Sequence, residues 1–186
     1  MSHPTTRLAI TAGLALLTTA CAAAGTTGSA GPASTTSSME RTSPTPSTGR
    51  GHSALADLKP CDLLTPAEVG QLGLTHPGEE DQVGGADTCL WKVRGNGNAS
   101  AAIRPEQGIG DLDYAGDRTV PTTIGKYPAT RVEAPLDAKY ICHVVISVTE
   151  SSSVQVIATI DATSTDTAAA CERATKTAEL IAPKLP

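Results

Sequence analysis

Apolar and polar residues alternate along several short stretches in the C-terminal two thirds of the chain. Alternation with a period of two places every second side chain on one face of a sheet, so it predicts half-buried β-strands. The predicted strands cover 89–94, 99–104, 127–133, 140–149 and 154–160. Asn96-Gly97 lies between the first two, and a tight hairpin turn favours this dipeptide because it needs positive φ. The strands therefore pair as hairpins in an antiparallel sheet.

Helical patterns flank these strands. Thr65, Pro66 and Glu68 form a capping box with proline at the first helical position, which predicts a helix over about 65–72. Apolar residues at helical spacing predict a second helix over 166–181. We therefore predict an α+β fold: an antiparallel β-sheet of about five strands with N- and C-terminal helices packed on it.

Two stretches between these elements lack a clear periodicity. The segment 77–87 is acidic and contains glycine, and it is predicted to be a loop. The segment 107–123 is rich in Gly and Asp, and its pattern fits either a short helix or a loop.

The N-terminus has the organisation of an export signal. Arg7 precedes an uncharged apolar run over 8–17, and small residues lead to Cys21. This resembles a bacterial lipobox, so we predict a lipoprotein signal peptide over 1–20 and attachment of acyl chains such as palmitate to Cys21. At least two chains would hold the protein at the extracytoplasmic face of the cell membrane. An ordinary secretory signal that is cleaved nearby is the alternative.

The segment 21–56 is predicted to be a disordered, lipid-anchored tether. Its residues 22–53 are rich in Ser, Thr, Pro and Gly and contain no Val, Ile, Leu or aromatic residue. Such a composition cannot bury enough apolar surface to offset the entropy of ordering. The remaining residues, 57–186, are predicted to form the single α+β domain.

Five cysteines are present, and lipidation of Cys21 would leave four for disulfides in an oxidising compartment. Cys142 is predicted on the inward face of the longest strand and Cys171 on the apolar stripe of the last helix, so a bond between them would join helix to sheet. A bond between Cys61, just before the first helix, and Cys89, beside Trp91, would join the other end of the domain in the same manner. Zinc binding is the competing interpretation, but the cysteines lack the close spacing of such sites.

Several segments resemble one family. They are CDLLTPAEV at 61–69, CLW at 89–91, IGKYPA at 124–129, CHVVISV at 142–148 and the terminal segment 169–186. Together they resemble the actinobacterial lipoprotein family catalogued as domain of unknown function 3558. The resemblance implies an exported, lipid-anchored envelope protein with a disulfide-bonded α+β domain, and it implies no activity.

Candidate catalytic chemistry is sparse. His143 and Ser147 share a predicted strand face, and a hydrolase would also need an orienting acid, but the sequence has no G-x-S-x-G elbow and no support from the order of such residues along the chain. His76 is the only other histidine of the predicted domain.

Acidic groups offer the candidate metal ligands. They are Glu79, Glu80, Asp81 and Asp87 in one stretch, and Asp111, Asp113 and Asp117 in another. They could ligate calcium, but neither stretch matches an EF-hand loop. We predict no metal and no cofactor.

The net charge is −5, and no basic run is present, which argues against a nucleic-acid partner. The predicted partners are the membrane, through the lipidated N-terminus, and an unknown envelope protein, lipid or glycan. We favour a non-catalytic binding or structural module. An extracytoplasmic hydrolase and a carrier of lipid or another small ligand are the alternatives.

Overall fold

The alternating stretches form one antiparallel sheet in the computed structural model, which describes residues 53–186. The predictions for the signal peptide, for Cys21 and for most of the tether lie outside the described residues. The strands are β1 (Glu79–Val83), β2 (Ala86–Lys92), β3 (Asn98–Arg104), β4 (Arg118–Ile124), β5 (Tyr127–Glu133), β6 (Ile141–Thr149) and β7 (Ser152–Thr159). Their order across the sheet is β1-β2-β3-β7-β6-β5-β4.

The prediction of five strands is wrong, because the described part of the chain has seven. The two additional strands, β1 and β4, are the edges of the sheet. Edge strands need little apolar alternation: β1 carries Glu79, Glu80 and Asp81 and is almost entirely exposed. Pro121 interrupts the pattern of β4, and proline is tolerated at a sheet edge because the lost N–H has no partner there.

One long helix, α2 (Thr167–Ile181), packs on β6 and β7. Its N-cap is Asp166, whose side chain accepts a hydrogen bond of 3.0 Å from the N–H of Ala169. The residues that α2 buries are mostly small, which allows close approach to the sheet; they are Ala170, Cys171, Ala174, Thr177, Ala178 and Ile181. None of the helices within 53–186 is long and apolar enough to cross a membrane.

The N-terminal helix is shorter than α2. It is α1 (Pro66–Gln71), and its capping box is present: Glu68 N–H donates to Thr65 Oγ1 at 3.3 Å, and Thr65 N–H donates to Glu68 Oε2 at 2.7 Å. Within α1 only Val69 is buried, and the preceding 3-10 turn Pro60–Leu63 contacts β2 and β3. Thus α2 is the helix that covers the sheet, and the predicted pair of packed helices is corrected to one.

Both predicted disulfides are formed. Cys142–Cys171 joins β6 to α2, and Cys61–Cys89 joins the 3-10 turn to β2. Cys89 and Cys142 are fully buried in the cluster that also contains Trp91. Leu55, which was predicted to lie in the tether, is also fully buried in this cluster, so the fold begins before residue 57.

Candidate functional site

The sheet face opposite α2 is crossed by the segment 105–117, which we call the strap. Side chains alternate along a strand, so His143 and Gln155 point away from the face that carries Cys142 and Val156. The strap contacts β6 through its 3-10 turn Ile109–Asp111. A polar network therefore lies between the strap and this second face.

His143 lies in that network and contacts neutral groups. Its Nδ1 is 3.4 Å from the hydroxyl of Tyr114 and 3.4 Å from Nε2 of Gln155. Gln155 Nε2 also donates a hydrogen bond of 2.6 Å to the Tyr114 hydroxyl. Burial is the main cause that lowers the pKa of His143 to about 4; the Arg104 charge adds to this, and the Asp117 carboxylate opposes it. His143 is therefore neutral at physiological pH.

Burial also raises the pKa of the Tyr114 hydroxyl to about 12. Neither Tyr114 nor His143 thus has a pKa near 7, where general acid–base catalysis is most efficient. Ser147 lies four residues along the same strand, which corresponds to about 13 Å. The structure therefore does not bring Ser147 and His143 together as nucleophile and base.

Arg104 organises the network at the other end. Its guanidinium donates to Gln155 Oε1 at 2.8 and 3.1 Å and to Gln107 Oε1 at 2.8 Å. It also donates to the backbone carbonyls of Val83 and Gly84. The residue is only 5% exposed, and within 53–186 every buried side-chain nitrogen or oxygen has a partner. Arg104 thus ties the β1–β2 turn, the strap and β7 together.

Most of the carboxylates considered as calcium ligands bond to protein groups. In the strap region, Asp111 accepts from the N–H of Gly108 at 2.8 Å and Asp117 from the N–H of Leu136 at 2.9 Å. On β1, Glu79 pairs with Lys92 at 2.7 Å. The described residues contain no group of three potential ligands that could hold a metal ion.

A groove lies on the side of the sheet that carries α2, between this helix and the strands β4 and β5. Its first part is a cavity of about 500 Å³ between β5 and α2. Arg131 and Glu133 line the sheet side, and Glu172, Thr175 and Glu179 line the helix side.

A second cavity of about 460 Å³ continues the groove at the N-terminus of α2, because Glu133 and Thr167 line both. Arg118 lines its sheet side. Arg118 and Arg131 both pair with Glu133, at 3.1 and 2.7 Å. Two guanidinium groups therefore share one carboxylate, in a groove whose second cavity is also lined by Asp117, Asp137 and Lys139.

A strained loop borders this second cavity. Ala134, Leu136 and Asp137 have φ values of 48°, 54° and 61°, in the left-handed region that L-residues rarely adopt. Leu136 is also 91% exposed, and no other large hydrophobic residue in 53–186 is exposed. Strain of this kind persists where the surroundings impose it, and it is concentrated at functional sites. The groove is therefore the best candidate functional site.

Sequence reasoning missed the residues of this groove. Arg118 and Leu136 lie in or beside stretches without a clear pattern, and the groove forms only when β5 and α2 come together. The strap network had one local signal in the sequence. Arg104 is a charged residue at the end of an otherwise largely apolar strand, and a charge that is buried there needs polar partners.

One family model, described as protein of unknown function (DUF3558), matches residues 16–184. No curated protein and no solved structure matches the chain.

Proposed function

The chain belongs to the DUF3558 family, and from this starting point we propose that it is an exported, lipid-anchored envelope protein whose domain acts as a non-catalytic binding module. The single observation that carries the proposal is the pair of disulfides, Cys61–Cys89 and Cys142–Cys171. Disulfides form and persist in oxidising compartments and are rare in the cytosol. They support export, and the sequence before Cys21 supplies the signal for it.

The lipid anchor follows from the same argument. The two disulfides of the domain use four of the five cysteines, and Cys21 is the one that remains. It stands directly after small residues at the end of the apolar run, as a lipoprotein signal requires. Acylation at Cys21 would place the domain at the extracytoplasmic face of the membrane, and the segment after Cys21 would act as the tether.

Binding rather than catalysis is favoured by the groove. The hydrolase alternative depends on His143, and its contacts are an amide and a phenol instead of a serine and a carboxylate. The carrier alternative needs an enclosed apolar cavity. Charged side chains line both cavities of the groove, among them Arg131, Glu172 and Asp117, and this favours a polar ligand.

The test is intact-mass analysis of the protein purified from membranes. We expect a polypeptide that begins at Cys21 and carries two or three acyl chains. Treatment with a thiol-alkylating reagent without reduction should add no mass, because the four other cysteines are in disulfides. Cys21→Ser should abolish labelling by radioactive palmitate, whereas Ser29→Ala in the tether should leave it unchanged. An unprocessed chain in the cytosol with five free thiols would overturn the proposal.

A further inference from the structure

The hydrogen bonds between the strap and the sheet have a fixed direction that begins at Arg104. A guanidinium group can only donate, so the atom of Gln155 that lies 2.8 and 3.1 Å from it is the amide oxygen Oε1. The amide nitrogen Nε2 of Gln155 therefore faces Tyr114 and His143, and it too can only donate. Arg104 thus determines which atoms of the network must accept.

His143 stands at the end of this chain of hydrogen bonds. Its Nδ1 is 3.4 Å from Nε2 of Gln155 and 3.4 Å from the hydroxyl of Tyr114. Because the amide nitrogen cannot accept, this arrangement requires an Nδ1 without a proton, and the neutral ring then holds its proton on Nε2. A proton on Nδ1 would set two donors against each other and add a second positive charge to the network of Arg104. The strap is therefore held by contacts that an imidazolium cannot make.

Two charged groups act on the imidazole of His143. Arg104 on β3 opposes protonation, and Asp117 in the strap favours it. Asp111, in the 3-10 turn that contacts β6, is bonded instead to the N–H of Gly108. The directly paired neighbours of His143 in the sheet are neutral; they are Val132 on β5 and Ile157 on β7. Thus one carboxylate favours the imidazolium, and burial outweighs it.

We propose that the strap is a proton-operated latch on this face of the sheet. It stays closed while Nδ1 of His143 accepts hydrogen bonds from Gln155 and Tyr114, and it is released when Nδ1 takes up a proton. Val145 points to the same face and is fully buried, so release exposes apolar surface together with the polar network. The latch goes beyond the binding role given above, and it depends neither on the lipid anchor nor on a ligand in the groove.

Hydrogen exchange of the full-length, disulfide-bonded protein in detergent tests the latch. The pKa of His143 is about 4 while the strap is closed and 6.5 when the ring is exposed, so opening becomes easier as the pH falls below 6.5. From pH 7 to pH 5 the open population should rise about twentyfold, and the protection factors of amides at 108–112 should fall by the same factor. The protection of α2 should not change.

Two variants show whether His143 operates the latch. Glutamine can accept a hydrogen bond but does not titrate, so His143→Gln should abolish the pH dependence of protection in the strap. His76 is the matched control because it is exposed, and His76→Gln should keep the full change.

A second measurement needs no variant. In nitrogen NMR spectra of the imidazole groups at pH 7, Nδ1 of His143 should carry no hydrogen, and a proton on Nδ1 would overturn the proposal. Equal protection of the strap at pH 7 and pH 5, or a pH dependence that persists in His143→Gln, would also overturn it. So would a loss of protection in α2 equal to that in the strap, because the opening would then be global.

Discussion

The two faces of the sheet are covered in different ways. On one face, α2 buries small and aliphatic side chains and is fixed by the Cys142–Cys171 bond. On the other face, the strap is held by hydrogen bonds that converge on Arg104 and Gln155. One face is stabilised by apolar contact and a covalent bond, and the other by a few polar atoms.

This difference determines how each face responds to change. Apolar burial is spread over many atoms, so a single loss is absorbed in part by repacking. A buried polar network has few members, and each one that loses its partner costs the desolvation of a polar group. We therefore expect the face under α2 to respond to changes in covalent linkage, and the face under the strap to respond to pH and to single polar substitutions.

The largest expected effect is the loss of the Cys142–Cys171 bond. The bond closes a segment with a sequence separation of 29 residues. In the chain-entropy description, its removal by Cys142→Ala with Cys171→Ala lowers the free energy of unfolding by about 3–4 kcal/mol. Urea unfolding of the oxidised protein measures this loss.

The second disulfide is the matched control, because Cys61–Cys89 has a sequence separation of 28 residues. Cys61→Ala with Cys89→Ala should cost nearly the same. A much larger loss for one pair would show that the native packing around that bond, rather than the constraint on the unfolded chain, dominates.

The next effect is a loss of stability as the pH falls. The pKa of His143 is about 4 in the folded protein and 6.5 in the unfolded chain, so the unfolded chain binds more protons between these values. Stability is therefore fully present above pH 6.5 and falls as the pH decreases toward 4. The 2.5-unit difference between these pKa values corresponds to about 3 kcal/mol.

Urea unfolding at a series of pH values tests this prediction. His143→Gln should remove most of the slope between pH 6.5 and 4, whereas His76→Gln, at an exposed position, should leave it unchanged. A hydrogen bond from Lys184 lowers the pKa of Glu68, so a separate loss of stability below pH 4.5 should remain in both variants. An unchanged slope in His143→Gln would contradict the assignment.

A smaller effect is expected from Arg104→Met, which keeps an unbranched apolar stem and removes the guanidinium donors. The carbonyls of Val83 and Gly84 and the amide oxygens of Gln107 and Gln155 lose their partner. We expect a loss of about 2–3 kcal/mol, since water can replace some of these bonds.

Hydrogen exchange shows where the Arg104→Met loss acts. Amides of the strap should exchange faster, while those of α2 keep their protection, because the two faces are held independently. Arg94→Met, at an exposed position, should change stability by no more than about 0.5 kcal/mol. Equal acceleration in α2 would show that the two faces open together.

The face under α2 was largely predictable from the sequence. Alternation of apolar and polar side chains indicated β2, β3, β5, β6 and β7, even though β3 and β7 are buried on both sides, and the capping box located the start of α1. The cysteine positions followed from the same periodicity, because Cys142 and Cys171 fall on the apolar sides of their elements. These signals are local, and each can be identified within about ten residues.

The strap and the groove were not predictable in this way. Gln155 lies in an apolar strand, and its partners Arg104 and Tyr114 lie 51 and 41 residues away, so no local pattern connects them. The edge strands β1 and β4 carry little apolar alternation because solvent faces them. The groove depends on where α2 ends relative to β5, which is a property of the packed structure.

The smallest expected effect concerns a position outside both faces. Leu136 has a φ of 54° and is 91% exposed, so its side chain adds strain and buries little area. Glycine tolerates this φ, and the strain that it relieves exceeds its additional entropy cost by a small amount. Leu136→Gly should therefore stabilise the protein by about 0.5 kcal/mol, measured as an increase in Tm.

Leu136→Ala is the control that separates strain from contact. Alanine keeps the β-carbon, and therefore the strain, so its stability should equal that of the unchanged protein. A loss of stability in both variants would show instead that the leucine side chain makes a stabilising contact. If Leu136→Gly stabilises the protein and Leu136→Ala does not, the natural leucine weakens the fold at a position beside the groove. Backbone strain that is retained at an exposed position is expected where the surface binds a ligand.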